Sequence, residues 1–271
     1  MQKSVSLSVV ILTKNVEAHL ADCLRSVQWA SELIVVDYGS SDKTLEIARA
    51  HGVTLYRDSW DNEGAIRNRA YARATQDWVF TLDADERVSD ELRDEIIARL
   101  SAPTSYNAFS LPIKNIYAQT YWIRHGGWYP GYKVRIFRKG KFWYEEAEIH
   151  PRISLDGKDG RLKGDILHYF CNDFTHLLNK LNVQSSLEAA KWLRDGRKMN
   201  LSIACARMFS RFFKGYIQKQ GFRDGFIGLM ITWFNVSYQL LAYAKYWQAK
   251  RLGKTNELEK MTLSYTVKKN G

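Results

Sequence analysis

Over the first hundred residues, short apolar runs alternate with stretches in which apolar residues return every three or four positions. Leu7 to Leu12 is almost continuously apolar, and Val16, Leu20, Leu24 and Val27 follow at spacings of four, four and three. The first run has the pattern of a strand buried on both faces, the second that of a helix with one apolar stripe. Leu33 to Asp37 predicts a second buried strand. Leu45 and Ala48 predict the inner face of a helix stopped by Gly52, Val53 to Tyr56 a shorter strand, and Ala65, Arg69 and Ala72 another helix. Trp78 to Leu82 predicts a fourth strand, and Ser89 or Asp90 can cap a helix running to Leu100. Repeated β-α units of this kind call for an α/β fold with a doubly wound, mostly parallel sheet, which takes its ligands beyond the carboxyl ends of the strands.

From about 105 to 170 the helical period gives way to glycine, aromatic and alternating residues, as in Tyr132 to Arg138, which predicts added strands and loops. Helical spacing returns from Asn172 to Asn200, and the character changes again from 201. A hydrophobic content of 45% with only four prolines excludes disordered and Pro-rich classes. Cys23, Cys171 and Cys205 form no C-x-x-C pair, which argues against a disulfide scaffold or structural zinc and fits a reducing cytoplasm. Leu7 to Leu12 has the length of a signal-peptide core, but Thr13, Lys14 and Asn15 stand where a small-residue cleavage site would be needed.

The chemistry gathers at predicted strand ends. Asp83-Ala84-Asp85 leaves the fourth strand, and two carboxylates one residue apart can hold a hard divalent cation that also binds a diphosphate. Asp37 ends the second strand before the Gly39-Ser40-Ser41-Asp42 turn, where a carboxylate can accept hydrogen bonds from a ribose or base, while Asp42 caps the next helix. Thr13, Lys14, Asn15 and Glu17 close the first strand in the same manner, so three strand ends present polar groups to one crevice.

Ser8 to Asn15, Leu33 to Thr44 and Leu82 to Glu86 resemble, in order and spacing, the successive blocks of family 2 glycosyltransferases with the GT-A (nucleotide-diphospho-sugar transferase) fold. His125 to Arg138 resembles the branch containing lipopolysaccharide-core β-glucosyltransferases. The resemblance implies a nucleotide-diphosphate sugar as donor, inversion at the anomeric carbon, and Mg2+ or Mn2+ at the D-x-D segment. It implies further that Thr13, Asn15 and Glu17 line the nucleotide pocket and that Asp37 contacts base or ribose. Asp83 and Asp85 would serve ribose-diphosphate and metal, and Arg67 and Asn68 match an Arg-Asn pair of donor contacts. His168 matches a histidine that completes the metal shell, although a histidine beside apolar residues also suits a hydrogen-bonded core position.

Inverting transfer needs a base on the acceptor side, and a carboxylate suits it because it removes the hydroxyl proton as the new C–O bond forms. Glu146 and Glu148 are the candidates. The branch often carries His-Glu where this chain has His150-Pro151, so the base does not transfer by position. In the acceptor loop, Gly127 permits close backbone approach, Trp128 and Tyr129 offer ring faces for a sugar, and Arg135 can meet a phosphate. An ordinary hairpin with its own aromatic packing is the alternative.

Charge separates the last third from the rest. The chain carries 40 Lys and Arg against 29 Asp and Glu, and Arg197 to Lys254 alone holds 11 of the cations with one acid, Asp224. Aromatics interleave with these cations at helical spacing, as an interfacial helix needs to wedge acyl boundaries and meet anionic headgroups; a stacking platform for nucleic acid is the disfavoured reading. Phe226 to Ala244 is free of charge, yet Thr232, Asn235, Ser237 and Gln239 favour a packed or interfacial helix over a simple span. The expected organisation is a GT-A catalytic domain over 1–170, with a nucleotide-sugar half (1–100) and an acceptor half (101–170). C-terminal amphipathic, basic helices over 171–271 would dock it on the inner face of the cytoplasmic membrane. The expected reaction moves a hexose, UDP-glucose being the favoured donor, to a lipid-anchored glycan such as lipopolysaccharide core. Another cell-surface or undecaprenyl-linked glycan is the alternative acceptor, and a nucleotidyltransferase or a non-enzymatic membrane adaptor the alternative class.

Overall fold

The structure, a computed structural model, describes residues 5–146 and 152–253. Its first hundred residues run β1 (Leu7–Thr13), α1 (Leu20–Ser26), β2 (Glu32–Asp37), α2 (Thr44–Ala50), β3 (Thr54–Arg57), α3 (Glu63–Ala72), β4 (Trp78–Asp83), β5 (Glu86–Val88) and α4 (Asp90–Leu100). Strands dominate next: β6 (Ala108–Leu111), β7 (Ile113–Tyr117), β8 (Tyr121–Trp122), β9 (Lys133–Arg138), β10 (Phe142–Tyr144), β11 (Ile153–Leu155), β12 (Asp159–Arg161) and β13 (Ile166–Cys171). Three helices follow, α5 (Phe174–Arg194), α6 (Leu201–Phe212) and α7 (Gly225–Leu252), with a π-helical turn (Phe213–Gln218) and a 3-10 turn (Gly221–Asp224) between the last two.

The chain forms two compact units. Unit 1 takes the described residues up to Ile113 and those within 131–168; unit 2 takes 114–130 and the described residues from Tyr169 onward. Residues 114–130, expected with the acceptor half, thus group with the C-terminal helices.

Unit 1 is the expected GT-A type of α/β fold. Its seven-stranded sheet has the order β12-β6-β9-β4-β1-β2-β3. The β4-β1-β2-β3 half is wholly parallel, and β9 runs antiparallel between β4 and β6. Val9 and Ile11 face one core with Leu20, Leu24, Leu92 and Ile96, whereas Val10 faces another with Ala70, Tyr71 and Phe137. Helices on both faces explain why the strands read as unbroken apolar runs rather than alternating ones. Ser89 caps α4 by accepting the Leu92 N–H. Asp42 acts one residue earlier than a cap: its Oδ1 accepts the Thr44 N–H at 3.0 Å.

Unit 2 holds β7, β8 and the three long helices. α7 packs on both α5 and α6. Ile231, Val236, Gln239, Ala242, Tyr246 and Ala249 turn one α7 face inward, and Phe226, Trp233, Leu240 and Trp247 stand exposed at intervals of seven. Among the described residues one helical span, Gly221–Leu252, is long and apolar enough to cross a membrane.

Candidate active site

In unit 1 the sheet register assembles the site. β1 lies between β2 and β4, with Thr13 opposite Asp37 and Leu12 opposite Asp83, so the strand-end polar groups occupy neighbouring rungs about 4.8 Å apart. The sheet order reverses here, which is where ligands of open α/β sheets bind.

Asp37 is almost fully buried and organises the loop after β2. Its Oδ1 accepts the Gly39 and Ser40 N–H groups at 3.1 Å each, and its Oδ2 accepts Thr13 Oγ1–H at 3.3 Å and the Ser40 hydroxyl. Asn15, at φ 50°, accepts the Ser41 N–H at 2.8 Å, and Glu17 accepts the Lys43 N–H at 3.0 Å. Thr13, Asn15 and Glu17, expected to line the nucleotide pocket, therefore tie the loop after β1 to the loop after β2. Burial raises the Tyr38 phenol well above its ordinary value, and its ring packs 5.0 Å from Trp60.

The two aspartates of the D-x-D segment have different surroundings. Asp83 lies 3.1 Å from Arg135 Nη2 and 3.5 Å from Arg67 Nη2. Burial opposes its ionisation, but Arg135 and then Arg67 outweigh it and hold the carboxyl well below the usual carboxylate range. Glu86, 1% exposed, accepts the Asp83 N–H at 2.9 Å and pairs with Arg135 at 2.6 Å. Burial pushes its carboxyl up to about 7, against the pull of Arg135. Arg135 was expected in the acceptor loop; the alternation of β9 instead turns it inward, buried, onto these two carboxylates. Asp85 faces His168, whose Nε2 lies 3.4 Å from its Oδ2. β13 makes that meeting by pairing antiparallel with β5, His168 opposite Glu86.

Among the described residues no three His, Cys, Asp or Glu side chains converge as a metal site. The chemistry of the Asp85-His168 pair still suits a cation whose remaining ligands come from a diphosphate. One carboxylate oxygen and one imidazole nitrogen fit Mn2+ better than Mg2+.

Arg67 and Asn68 hold the acidic segment rather than standing in the open. The Asn68 amide donates to Tyr144 O and accepts from Tyr144 N–H, both at 2.8 Å, as a neighbouring strand would. Arg67 pairs with Glu63 at 3.1 Å and lies 5.6 Å from the Tyr144 ring centre. A Cβ on Gly64 would stand 2.0 Å from the Glu145 carbonyl oxygen, so only glycine allows α3 this close. Glu145 and Glu146 follow exposed, immediately after the clamped residue; Glu148 lies outside the described residues. Sequence reasoning missed Glu86, Gly64 and the clamp. Glu86 borders the D-x-D segment and was the one of these with a signal.

In unit 2 the expected acceptor loop is tightly knitted. Trp128 packs 5.3 Å from Phe170, and Tyr129 meets Trp122 edge-on at 5.1 Å. Gly127, at φ 85°, lies where a Cβ would stand 2.5 Å from Lys219 Nζ. Trp128 thus packs, partly buried, against a small core.

The family described as "Glycosyl transferase family 2" matches residues 8–150. An uncharacterized glycosyltransferase of Rickettsia typhi is 29% identical over 93% of this chain and 87% of its own length. The lipopolysaccharide core biosynthesis glycosyltransferase LpsC of Rhizobium meliloti is 24% identical over 93% of this chain and 96% of its own. Among solved structures, glucosyl-3-phosphoglycerate synthase from Mycobacterium tuberculosis, in complex with Mn2+, UDP and glucosyl-3-phosphoglycerate, matches at 23% identity and a TM-score of 0.34, over 41% of this chain and 43% of that one. With the family match spanning more than half its length, the chain belongs to glycosyl transferase family 2 and is a glycosyltransferase.

Proposed function

We propose that the chain transfers a hexose from a UDP-sugar, UDP-glucose being favoured, with inversion, to a lipid-anchored glycan of the lipopolysaccharide-core type. The observation that carries this reading is the strand-end constellation of unit 1, where Asp83 is held ionised by Arg135 and Arg67 beside the Asp85-His168 pair. The name of the Rhizobium relative supports the acceptor class.

Asp85 and His168 would hold the divalent cation, which when bound supplies positive charge to the departing diphosphate. Asp83, fixed by two arginines, orients the ribose-diphosphate without needing to change protonation. Glu146 or Glu148 takes the acceptor hydroxyl proton while that oxygen bonds to the anomeric carbon and the bond to the nucleotide diphosphate breaks, a base contribution of about 10²–10⁴-fold. The clamp on Tyr144 sets where Glu146 begins.

A peripheral position on the inner face of the cytoplasmic membrane is supported by unit 2. Phe226, Trp233 and Trp247 on α7, with Phe209 and Phe213 before it, are each more than half exposed. Lys214, Lys219, Lys250 and Arg251 flank them in sequence. Apolar wedges with interspersed cations suit an anionic lipid surface.

The test is a panel of nucleotide sugars with and without Mn2+ or Mg2+, read by thermal stabilisation and by release of nucleotide diphosphate. UDP-glucose should stabilise the protein only with metal and be turned over slowly without acceptor. Metal-independent binding, or a better response to a non-uridine nucleotide sugar, would refute the donor reading.

A further inference from the structure

Unit 2 contains a cavity of about 310 Å³ between the end of β8 and the start of α7, lined by Trp122, Arg124, His125, Arg223, Asp224 and Ile227 among others. Asp224 fixes its wall. One carboxylate oxygen accepts the Arg124 N–H at 3.1 Å and the His125 N–H at 2.8 Å, and the other lies 2.7 Å from His125 Nδ1. The adjoining Gly126 N–H donates to Lys219 O at 2.8 Å, so the 124–126 segment is pinned at both ends to the basic stretch.

The lining sets two guanidinium groups, Arg124 and Arg223, against the one carboxylate of Asp224, and Lys114 adds a third cation beside the lining residue Trp122. Lys114 Nζ lies 4.1 Å and the Arg124 guanidinium 4.3 Å from the centre of the Trp122 ring, and Arg223 is held by Gln220 Oε1 at 2.8 Å. None of the three is in an ion pair with a carboxylate among the described residues. Two like charges gathered on one indole repel each other, and an anion between or beside them relieves that cost. The volume is at the lower end of ligand sites, about 300–1,000 Å³, which suits one sugar-sized group rather than a polymer.

We propose that this cavity is a subsite for a phosphate-bearing sugar, with Arg124 and Arg223 as the phosphate-binding groups and Lys114 adding to their field. The inference deepens the proposed reaction and rests on its glycolipid acceptor: the phosphorylated sugar would be part of that acceptor, engaged apart from the reacting hydroxyl. Guanidinium groups match phosphate through paired N–H donors, and the exposed Tyr121 offers a ring beside them for the sugar.

The probe is glucose 6-phosphate, titrated calorimetrically against the full chain at low salt, with UDP and Mn2+ in excess to fill the donor site and with glucose as the neutral control. Glucose 6-phosphate should bind at least tenfold more tightly than glucose. Arg124→Ala/Arg223→Ala should remove that advantage, while UDP binding and co-sedimentation with phosphatidylglycerol vesicles change less than twofold. Lys250→Ala/Arg251→Ala should do the reverse, weakening vesicle binding and sparing the sugar phosphate. The proposal is overturned if the wild-type chain does not prefer glucose 6-phosphate, or if the double arginine variant keeps the preference. It is equally overturned if those arginines matter only for vesicles, which would make them a headgroup surface. Turnover of UDP-glucose is scored separately: turnover without sugar-phosphate binding removes only the subsite, and binding without turnover removes only the reaction.

Discussion

At the strand ends of unit 1, Arg67 and Arg135 each meet a carboxylate, and most large apolar side chains lie inside the sheet layers, with Trp143 and Ile153 among the exceptions. In unit 2, Lys114 and Arg124 gather on an indole and form no ion pair with a carboxylate among the described residues, and Phe209, Phe226, Trp233 and Trp247 point to solvent. The first arrangement pairs its charges internally, which suits a site that stabilises charge only as it develops. The second leaves charge and apolar surface to be satisfied by something outside the chain. On the proposed reading, unit 1 would carry the chemistry and unit 2 the surface that meets a partner.

The comparison breaks most sharply at neighbouring acids. Asp85→Ala removes a partly exposed carboxylate that faces His168, so transfer should fall by at least about 10²–10³-fold with the melting temperature nearly unchanged. Glu86→Ala, one residue on, leaves Arg135 buried with the partly exposed Asp83 as its remaining ion-pair partner among the described residues. Removing one partner of a buried pair costs about 3–5 kcal/mol, so this variant should melt far earlier, and Glu86→Gln should recover part of the loss. Thermal melts and turnover measured side by side separate the two. Equal destabilisation by both substitutions would mean that the acids of the segment are one structural cluster.

A smaller effect tests the clamp. Asn68→Asp keeps an acceptor for the Tyr144 N–H but removes the donor to Tyr144 O and sets a carboxylate against that carbonyl. Displacing a reacting group by about 1 Å can cost about 10²-fold, so kcat should fall by one to two orders of magnitude with the KM for donor little changed. A raised donor KM with unaltered kcat would instead return Asn68 to the nucleotide pocket.

Much of unit 1 was legible in the sequence because its strands are covered on both faces, which forces continuous apolar runs, and because their polar ends fall at fixed positions. Val9 and Ile11 announce β1, and Asp37 and Asp83 mark where β2 and β4 emerge. The interior fate of Arg135 was not legible, since a glycine-aromatic block with cations reads equally as a loop or as β9 crossing the sheet. Nor was the clamp: Gly64 and Asn68 act on a segment more than seventy residues away, and no local pattern encodes such a meeting. In unit 2 the spacing identified the helices but not their partners. Trp128, whose ring suggested a sugar platform, also packs on Phe170, and residues 114–130 join helices that begin some fifty residues later.

The outward face of α7 tests the other side of the comparison. Trp233→Ser/Trp247→Ser exchanges two exposed rings, so stability should hardly move. Each buried apolar side chain contributes about 1.5–3 kcal/mol, so co-sedimentation with anionic vesicles should weaken by tenfold or more. Unchanged vesicle binding would leave the exposed face without a lipid role.

The finest distinction lies within the basic segment itself. Lys245 Nζ sits within 2.6–2.8 Å of Asn182 O, Asn182 Oδ1, Ser185 Oγ and Ser186 Oγ, and so joins α7 to α5. Its charge is spent on protein oxygens, unlike those of Lys250 and Arg251 at the helix end. Lys245→Met should therefore cost about 1–2 kcal/mol of stability, because acceptors around the buried Ser185 lose their donor, and vesicle binding should stay within twofold. Lys250→Ala/Arg251→Ala should show the opposite balance, with each cation near the surface contributing about 1 kcal/mol to lipid attraction. Should Lys245→Met weaken vesicle binding as much as the terminal pair does, the basic charge of unit 2 would act as one undivided field, and its division into an internal joint and an external face would be wrong.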